Sequence, residues 1–566
     1  MNSITRTTAC SPLGGRLARL VAAAAGLAAA TPLAAGAGTL PGFMNMVTDS
    51  AAIFTVPLTA RPAYLVPVAD PTFRVPVTRI AGNVGAALGG GVSGSWGSDA
   101  RHHYSKDQPW NSDGTLLVLQ NSGSPTRVYL DGETYAVKFG KCSSYSVGDD
   151  RWHPSKAHPD ERINVNGSEL MWYDVVRCVK TRSWTLPFAV DYFGPSEGNP
   201  SNDGRYAALT DGTRMFVVDM DPQPPLAPYP AHRIGPAVSI ASCGLADCSV
   251  DWVSVSASGK YVVVSYNGDH PRVFDLDPGT LALTPRVMPA SETHCSGAPG
   301  RGYIYDLGHA DLAVNPFDNN EDVLVGQEHC GNRGRVVGGK VMGSVVMVRL
   351  RDGAVTPLTD PTNEAYAHHI SARNYDRPGW VYVGYHDEPG KRYSDEIVAV
   401  KLDGSKSVQR FAHKHSAYSG CYRCESHAVP SRDGRRVLFA SNWDRSCGLG
   451  CGASSDIKAY VVWAPGAVAG VEDENLDRAR LELERVYPNP AVSSLGISYS
   501  LGGWAPARLE LVDVTGRQVL GRDLGSPGPG HHEARLGAGS SPPPGVYWLR
   551  LSQAGQSAAT RVVFVR

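Results

Sequence analysis

A short phrase recurs through the middle of this chain: a polar turn, most often with Asp-Gly or Ser-Gly, followed at once by β-branched and apolar residues. It stands at Asn111-Ser112-Asp113-Gly114 before 116–119, at Ser201-Asn202-Asp203-Gly204 before 206–209, at Ala257-Ser258-Gly259 before 261–264, and at Ser431-Arg432-Asp433-Gly434 before 436–439. A second set of strands ends in Asp and usually Gly, at 128–132, 216–221, 273–279, 345–353 and 397–404. Gly and Asp at such turns suit the backbone that joins two antiparallel strands, so each phrase reads as a hairpin. Two alternating hairpin signatures at a period of roughly 40 to 60 residues describe a radial array of small sheets, a β-propeller.

Counting hairpins gives seven blades, starting near His103, His153, Glu197, Trp252, His309, His369 and His427. The second blade has the weakest signal, with Asn166-Gly167 in place of Asp-Gly. The last, at 427–463, supplies only three evident strands, whereas 72–80 reads as an outer strand with Pro76 confined to a sheet edge. The early strand is therefore expected to complete the last blade and close the ring. Gly-rich stretches at 86–97 and 331–343 read as loops or bulged strands, because neither has Gly-x-Gly-x-x-Gly between a strand and a helix.

At 566 residues the chain exceeds an ordinary single domain, and the repeat explains how one toroid holds most of it, each blade burying its faces against its neighbours. The formal net charge is -1 and no long basic run occurs. Phosphate binding relies on clustered Lys and Arg, so nucleic acid is excluded as the main partner, while an acidic oligosaccharide held by a local arginine is not. Arg6, Arg16 and Arg19 precede an apolar stretch at 20–35, and Ala35-Gly36-Ala37 has the small residues of a cleavage site, so 1–37 reads as a signal peptide. Gly26, Thr31 and Pro32 make it short and weakly apolar for a bilayer span, and no transmembrane span is expected after its removal. Losing Cys10 with the signal leaves Cys142, Cys178, Cys243, Cys248, Cys295, Cys330, Cys421, Cys424, Cys447 and Cys451. An even number in an exported chain favours disulfides. Cys243 with Cys248, Cys142 with Cys178 and Cys295 with Cys330 are candidate pairs, and spacing leaves the pairing open.

The expected organisation is the signal at 1–37, a lead segment at 38–71, the propeller at 72–464, a linker at 465–480 and a small β domain at 481–566. That last domain carries Tyr487-Pro488-Asn489-Pro490, strands at 497–501 and 507–514, the turn Asp513-Val514-Thr515-Gly516-Arg517, then Gly545-Val546-Tyr547-Trp548 and a terminal strand at 561–566. Short alternating strands at this spacing suggest an immunoglobulin-like β-sandwich. The landmarks closely resemble the C-terminal sorting domains of the type IX secretion system, related in pattern to the immunoglobulin-like domain of flagellar hook-capping proteins. The resemblance implies a partner in that machinery, passage across an outer membrane, and a secreted or surface-attached product.

The innermost strand of a propeller blade lines the central channel, so residues at its ends face one shared pocket. Several blade starts carry histidine: His102-His103, His309, His368-His369 and His427, with Gln327, Glu328 and His329 on the next strand of the fifth blade. Imidazoles from different blades that converge suit a divalent Mn, Zn or Fe ion, and His309, His368, His369 and His427 are the candidate ligands. The stretch His309-Ala310-Asp311-Leu312-Ala313-Val314-Asn315-Pro316, continuing through 323–329, with the later Ala367-His368-His369, also resembles the oligogalacturonate lyase group. Those seven-bladed propellers cleave uronic-acid oligomers by β-elimination at a His-rich metal site. Where that family has a Gln close before two spaced histidines, this chain has Tyr366-Ala367 and adjacent histidines. The lyase reading requires a neutral His as base and a cation for the substrate carboxylate, for which the candidates are His270 or His329 and Arg335 or Arg333.

Cys421, Cys424, Cys447 and Cys451 form a second constellation, near His413, His415 and His427, that suits two disulfides or a structural zinc. No Gly-x-Ser-x-Gly elbow precedes a helix, which removes the usual serine-hydrolase signature. Trp110, Trp152, Trp172, Tyr173, Trp184, Trp252, Trp380 and Trp443 read either as sugar-stacking platforms or as blade cores. Three functions follow: a propeller binding a ligand such as a glycan at its channel mouth; a metal-dependent uronate lyase; and a protein-binding scaffold.

Overall fold

The computed structural model describes residues 46–191, 193–194, 197–220, 233–288, 302–417, 421–444, 456–464, 481–501, 506–525, 530–537, 542–553 and 556–565. The expected signal peptide, the linker, and Cys295, Cys447 and Cys451 fall outside them. Among the described residues the single helical element is the 3-10 turn Tyr422–Cys424, and everything else regular is strand.

The recurring phrase builds the turns it implies. Gly114, Gly204, Gly259 and Gly434 have φ of 77°, 78°, 81° and 70°, the left-handed region open to glycine. In each phrase a side chain five residues before the strand accepts the strand's first amide: Asn111 Oδ1 from Leu116 N at 2.9 Å, and Ser201, Ser256 and Ser431 Oγ from Tyr206, Tyr261 and Arg436 N at 3.0 Å.

The strands form seven blades, of which the first and last are joined by a short parallel pairing of Ile457 with Asp99 and Lys458 with Ala100. Blade 1 comprises Asp99–Arg101, Leu116–Asn121, Arg127–Asp131 and Val137–Gly140; blade 2 comprises Asp149–Trp152, Glu161–Asn166, Glu169–Asp174 and Val179–Thr185. Blade 3 is built on Tyr206–Thr210 and Arg214–Asp219, with Arg233–Ile234 and Val238–Ser239 outside them. Blade 4 has Val250–Val255, Tyr261–Tyr266, His270–Leu276 and Leu283–Pro285; blade 5 has Leu307–Asn315, Glu321–Glu328, Val345–Arg349 and Val355–Pro357. Ala367–Ser371, Trp380–Tyr385, Glu396–Lys401 and Val408–His413 make blade 6.

Blade 7 draws on both ends of the repeat. Val429–Pro430, Arg436–Ser441 and Ile457–Trp463 pair in order, and Pro76–Arg79 lies antiparallel on the outside, with Val77 opposite Val462 and Arg79 opposite Tyr460. Apolar clusters fill every gap between neighbouring blades, including the closing one, where Leu117 and Leu119 of blade 1 pack on Leu438, Ala459 and Val461 of blade 7. Trp110, Trp152, Trp172, Tyr173, Trp184, Trp252 and Trp443 are all buried in this packing, and half-buried Trp380 packs on the cluster between blades 6 and 7. They serve as core, which corrects the sugar-platform alternative for these residues.

The C-terminal domain is a sandwich of two sheets. One contains Glu482–Tyr487, Leu495–Leu501 and Gly530–Leu536, the other Gln518–Gly525, Ala507–Val512, Gly545–Gln553 and Gln556–Phe564. Leu495, Ile497, Leu509, Leu511, Leu549 and Leu551 alternate inward and are fully buried between them.

Candidate metal centre at the channel mouth

Irregularities in the inner strands aim the blade-start histidines. The ladder of blade 5 shifts register between Gly308 and Asp311, and that of blade 6 between Ala367 and His369. Such bulges re-aim side chains near functional sites. His309 and His427 have φ of 46° and 42°, a conformation that a non-glycine residue keeps only where its surroundings hold it. The hold on blades 5 and 6 is a buried bidentate pair: Arg373 Nη2 and Nε donate to Asp311 Oδ1 and Oδ2 at 2.7 and 3.0 Å, and the Ala372 amide donates to Oδ2 at 2.7 Å. Burying this pair is compensated only because both partners are present and fully engaged.

A floor lies beneath the histidines. The segment 102–110 is buried almost throughout. Lys106 Nζ pairs with Glu197 at 2.7 Å and sits 4.2 Å over the Trp252 ring, Asn199 Nδ2 donates to the Lys106 carbonyl at 2.8 Å, and Gln108 Nε2 donates to the carbonyls of Arg373 and Pro430 at 2.8 and 2.9 Å. One stretch of blade 1 is thus tied to blades 3, 4, 6 and 7, and its Tyr104 ring meets His427 and His369 edge-on at 4.7 and 5.4 Å.

Above it the imidazoles gather. Nδ1 of His309 lies 3.0 Å from Nδ1 of His369; the His369 and His427 rings stack at 4.0 Å, and His368 is 4.3 Å from His369 and 4.1 Å from His386. Glu425 Oε2 is 2.7 Å from His369 Nε2 and 3.6 Å from Nε2 of both His368 and His427. Possible ligand atoms of His368, His369 and Glu425 all lie within 4.8 Å of one another. His102 stands behind His427, with Nε2 2.5 Å from its carbonyl oxygen.

Burial dominates the electrostatics. It holds His369, His427 and His102 well below the usual imidazole range, the neighbouring His427 adding to the effect on His369 and Arg101 to that on His427 and His102. His309 is lowered by burial, His368 is pushed down to about 2 by burial and then by His386, and His386 to about 4 by burial and then by Lys414. Burial also pushes the Glu425 carboxyl up to about 7, with Arg101 and Lys414 pulling it back. Neutral imidazole is the form that ligates metal.

The other sequence candidates scatter around this cluster. His329 is half-exposed with Nδ1 3.4 Å from Asp269 Oδ2, and both crowd Gly308, where a Cβ would stand 3.1 Å from His329 Nδ1, 3.2 Å from Asp269 Oδ2 and 3.2 Å from Gln327 Oε1. His270 instead pairs with Asp306 at 3.1 Å. Arg333 lies over the Tyr366 ring at 5.5 Å, whereas Arg335 is exposed in the loop before the hairpin of Val336–Val337 and Lys340–Val341. Glu328 is fully buried and accepts from Tyr305 Oη and from the amides of Cys330, Asn332 and Arg333, so it organises a loop. His103 turns away to Asp107 at 3.4 Å.

Cys421 and Cys424 form a disulfide, which corrects the zinc alternative for these two sulfurs: oxidised, neither is a thiolate ligand. Cys142–Cys178 and Cys243–Cys248 are bonded as well. Sequence reasoning missed Glu425, His386 and Tyr104. Glu425 alone had a signal, standing between Cys424 and His427 in Cys-Glu-Ser-His.

A family model described as a secretion system C-terminal sorting domain matches residues 485–565. The chain therefore ends in a sorting domain of the type IX route, and the protein is exported, to be secreted or held at the cell surface. No helix among the described residues is long and apolar enough to cross a membrane. Among solved structures the chain is similar to an oligogalacturonate lyase in complex with manganese, at 13% identity and a TM-score of 0.43 over 73% of this chain and 99% of that one. It is also similar to the β-propeller domain of Myceliophteria thermophila Cps50 (Swd1), at 11% identity and a TM-score of 0.35 over 64% and 98% of the two chains. The Neurospora crassa Pan2 WD40 domain matches at 12% identity and a TM-score of 0.35 over 64% and 90%. No curated protein matches the sequence.

Proposed function

We propose that this exported propeller is a metal-dependent lyase for uronic-acid glycans, working at the channel mouth. The observation that carries the reading is the gathering of His309, His368, His369 and His427, from blades 5, 6 and 7, around the carboxylate of Glu425. The donor set fits a divalent Mn, Zn or Fe ion: neutral nitrogens plus one carboxylate oxygen. Among the described residues neither buried ring nitrogen of His427 has a hydrogen-bond partner, an arrangement that is costly unless something else engages them. A cation bound there supplies charge to stabilise the carbanion that forms beside a uronate carboxylate.

The chain's own residues supply the rest. Asp269 accepts the Nδ1 proton of His329 and so leaves Nε2 facing out as base for the proton on the carbon next to that carboxylate. Arg333, held over Tyr366, would pair bidentately with the carboxylate itself. Loss of the proton expels the glycosidic oxygen and leaves a double bond in the sugar. Tyr422, edge-on to His427 at 5.4 Å and 57% exposed, offers a face for stacking a sugar ring.

The test is metal content by mass spectrometry, then incubation with polyuronates. One equivalent of metal in the wild type, lost in His309→Ala/His368→Ala, with unsaturated products that disappear in His329→Ala while metal stays, is the expected outcome. The exposed Tyr422 also suits a glycan-binding module without turnover. Metal and polyuronate binding with no unsaturated product would favour that second reading, and a metal-free wild type would sink the lyase.

A further inference from the structure

The loop that carries Glu425 is closed by the Cys421–Cys424 disulfide. Tyr422–Cys424 wind into a 3-10 turn with Cys421 as its N-cap, and the next residue is Glu425. Every part of the turn is used. The Tyr422 ring meets His427; Arg423 Nε donates to Asp99 Oδ2 at 2.6 Å; and Arg101, fully buried, donates from Nη1 to the carbonyls of Arg423 and Glu425 at 2.5 and 3.2 Å. Cys424 is itself fully buried against Ala440 and Ile457 of blade 7, with its carbonyl accepting from Ser416 Oγ at 2.6 Å. Among the described residues, no regular helix or strand holds 421–428, since the flanking strands are Val408–His413 and Val429–Pro430. The crosslink thus holds the shape of the turn, and through that shape it sets where Arg101 and Ser416 anchor the backbone from which Glu425 projects.

Resting on the metal centre proposed above, we infer that the Cys421–Cys424 disulfide is the positioning device for Glu425 and Tyr422, so that the centre is complete only in the oxidised, exported protein. In a reducing cytoplasm the two thiols persist and the turn is released. Closure after export is thiol–disulfide exchange with an oxidised dithiol protein. One cysteine thiolate attacks its disulfide, the second displaces it, the Sγ–Sγ bond forms, two protons leave the cysteines, and the oxidant departs as a dithiol carrying both electrons. The device keeps a metal-binding, sugar-cleaving site unassembled until the chain has left the cell interior.

The experiment compares metal affinity, by competition against a chelating dye with Zn or Mn alone as probe, in three full-length proteins. These are the oxidised wild type, Cys421→Ser/Cys424→Ser, and the control Cys243→Ser/Cys248→Ser, which lacks an equally local disulfide at the blade 3 and 4 boundary. The wild type and control are expected to bind one equivalent alike, and the Cys421→Ser/Cys424→Ser protein at least tenfold more weakly while still melting cooperatively. Should that variant not fold, graded reduction of the loaded wild type with alkylation mapping replaces it. Metal release must then follow alkylation of Cys421 and Cys424 and not that of Cys243 and Cys248. Affinity within twofold of wild type in the variant, or metal retained after both cysteines are alkylated, overturns the inference and leaves the metal centre standing. No metal in the oxidised wild type overturns the centre and the inference with it.

Discussion

Several imidazoles here are held neutral by burial. His153 shows this away from the metal centre: burial, then the nearby His158, pushes its imidazole down to about 3 from the model-compound 6.5, and its Nδ1 accepts from the Ser155 amide at 3.1 Å. Because the folded pKa is depressed, the unfolded chain takes up a proton below about pH 6.5 that the folded chain refuses, so the stability from this ring is fully present above that pH and is lost as pH falls toward the folded value. In thermal melts His153→Gln is therefore expected to gain on the wild type steadily between about pH 6.5 and about pH 4, and a gap that does not change with pH would refute the assignment. His368 and His386 share this sign. Glu425 has the opposite one: raised to about 7, its contribution is full below the ordinary 4.5 and fades as pH rises through 7. The blade-start histidines were legible in the sequence because inner strands begin at predictable points in the repeat. His386 was not, because it follows the second strand of blade 6 and reaches the cluster through a ring contact with His368 that no local pattern encodes.

At the scale of strands, ring closure concentrates risk in one short segment. Pro76–Arg79 is the fourth strand of blade 7, with the two-residue strand Val68–Ala69 paired beyond it at the edge: Val77 is 4% exposed, whereas its partner Val68 is 43% exposed. Val77→Asp leaves an unpaired charge in the core between blades 6 and 7 and is expected to lower the unfolding free energy by about 3 kcal/mol or more, whereas Val68→Asp should stay within about 0.5 kcal/mol. Denaturant titration of the two variants decides it, and equal midpoints would mean that the strand is dispensable. Hairpins were legible because a left-handed glycine and a capping Ser or Asn are local features. Bulges at Gly308 and Ala367 were not, since a register shift depends on the partner strand and leaves no mark in the residues that make it.

As a whole, the molecule couples a closed toroid to an export address. A chain ending at residue 480 lacks the sorting domain at 485–565 and is expected to fold its propeller but accumulate behind the outer membrane, whereas the full chain reaches the surface or the medium. Cell fractionation reads this directly, and surface delivery of the truncated chain would show that a second address exists. Sequence alone determined the β architecture, the blade count, the sorting domain and the histidines, because turns, alternation and motif order are written in neighbouring residues. Tertiary structure alone decided that the channel has a floor, that Asp311 and Arg373 lock two blades behind the histidines, and that Glu425 stands among them. Those contacts join residues tens to hundreds of positions apart, and their geometry comes from closing the ring, which no local pattern encodes.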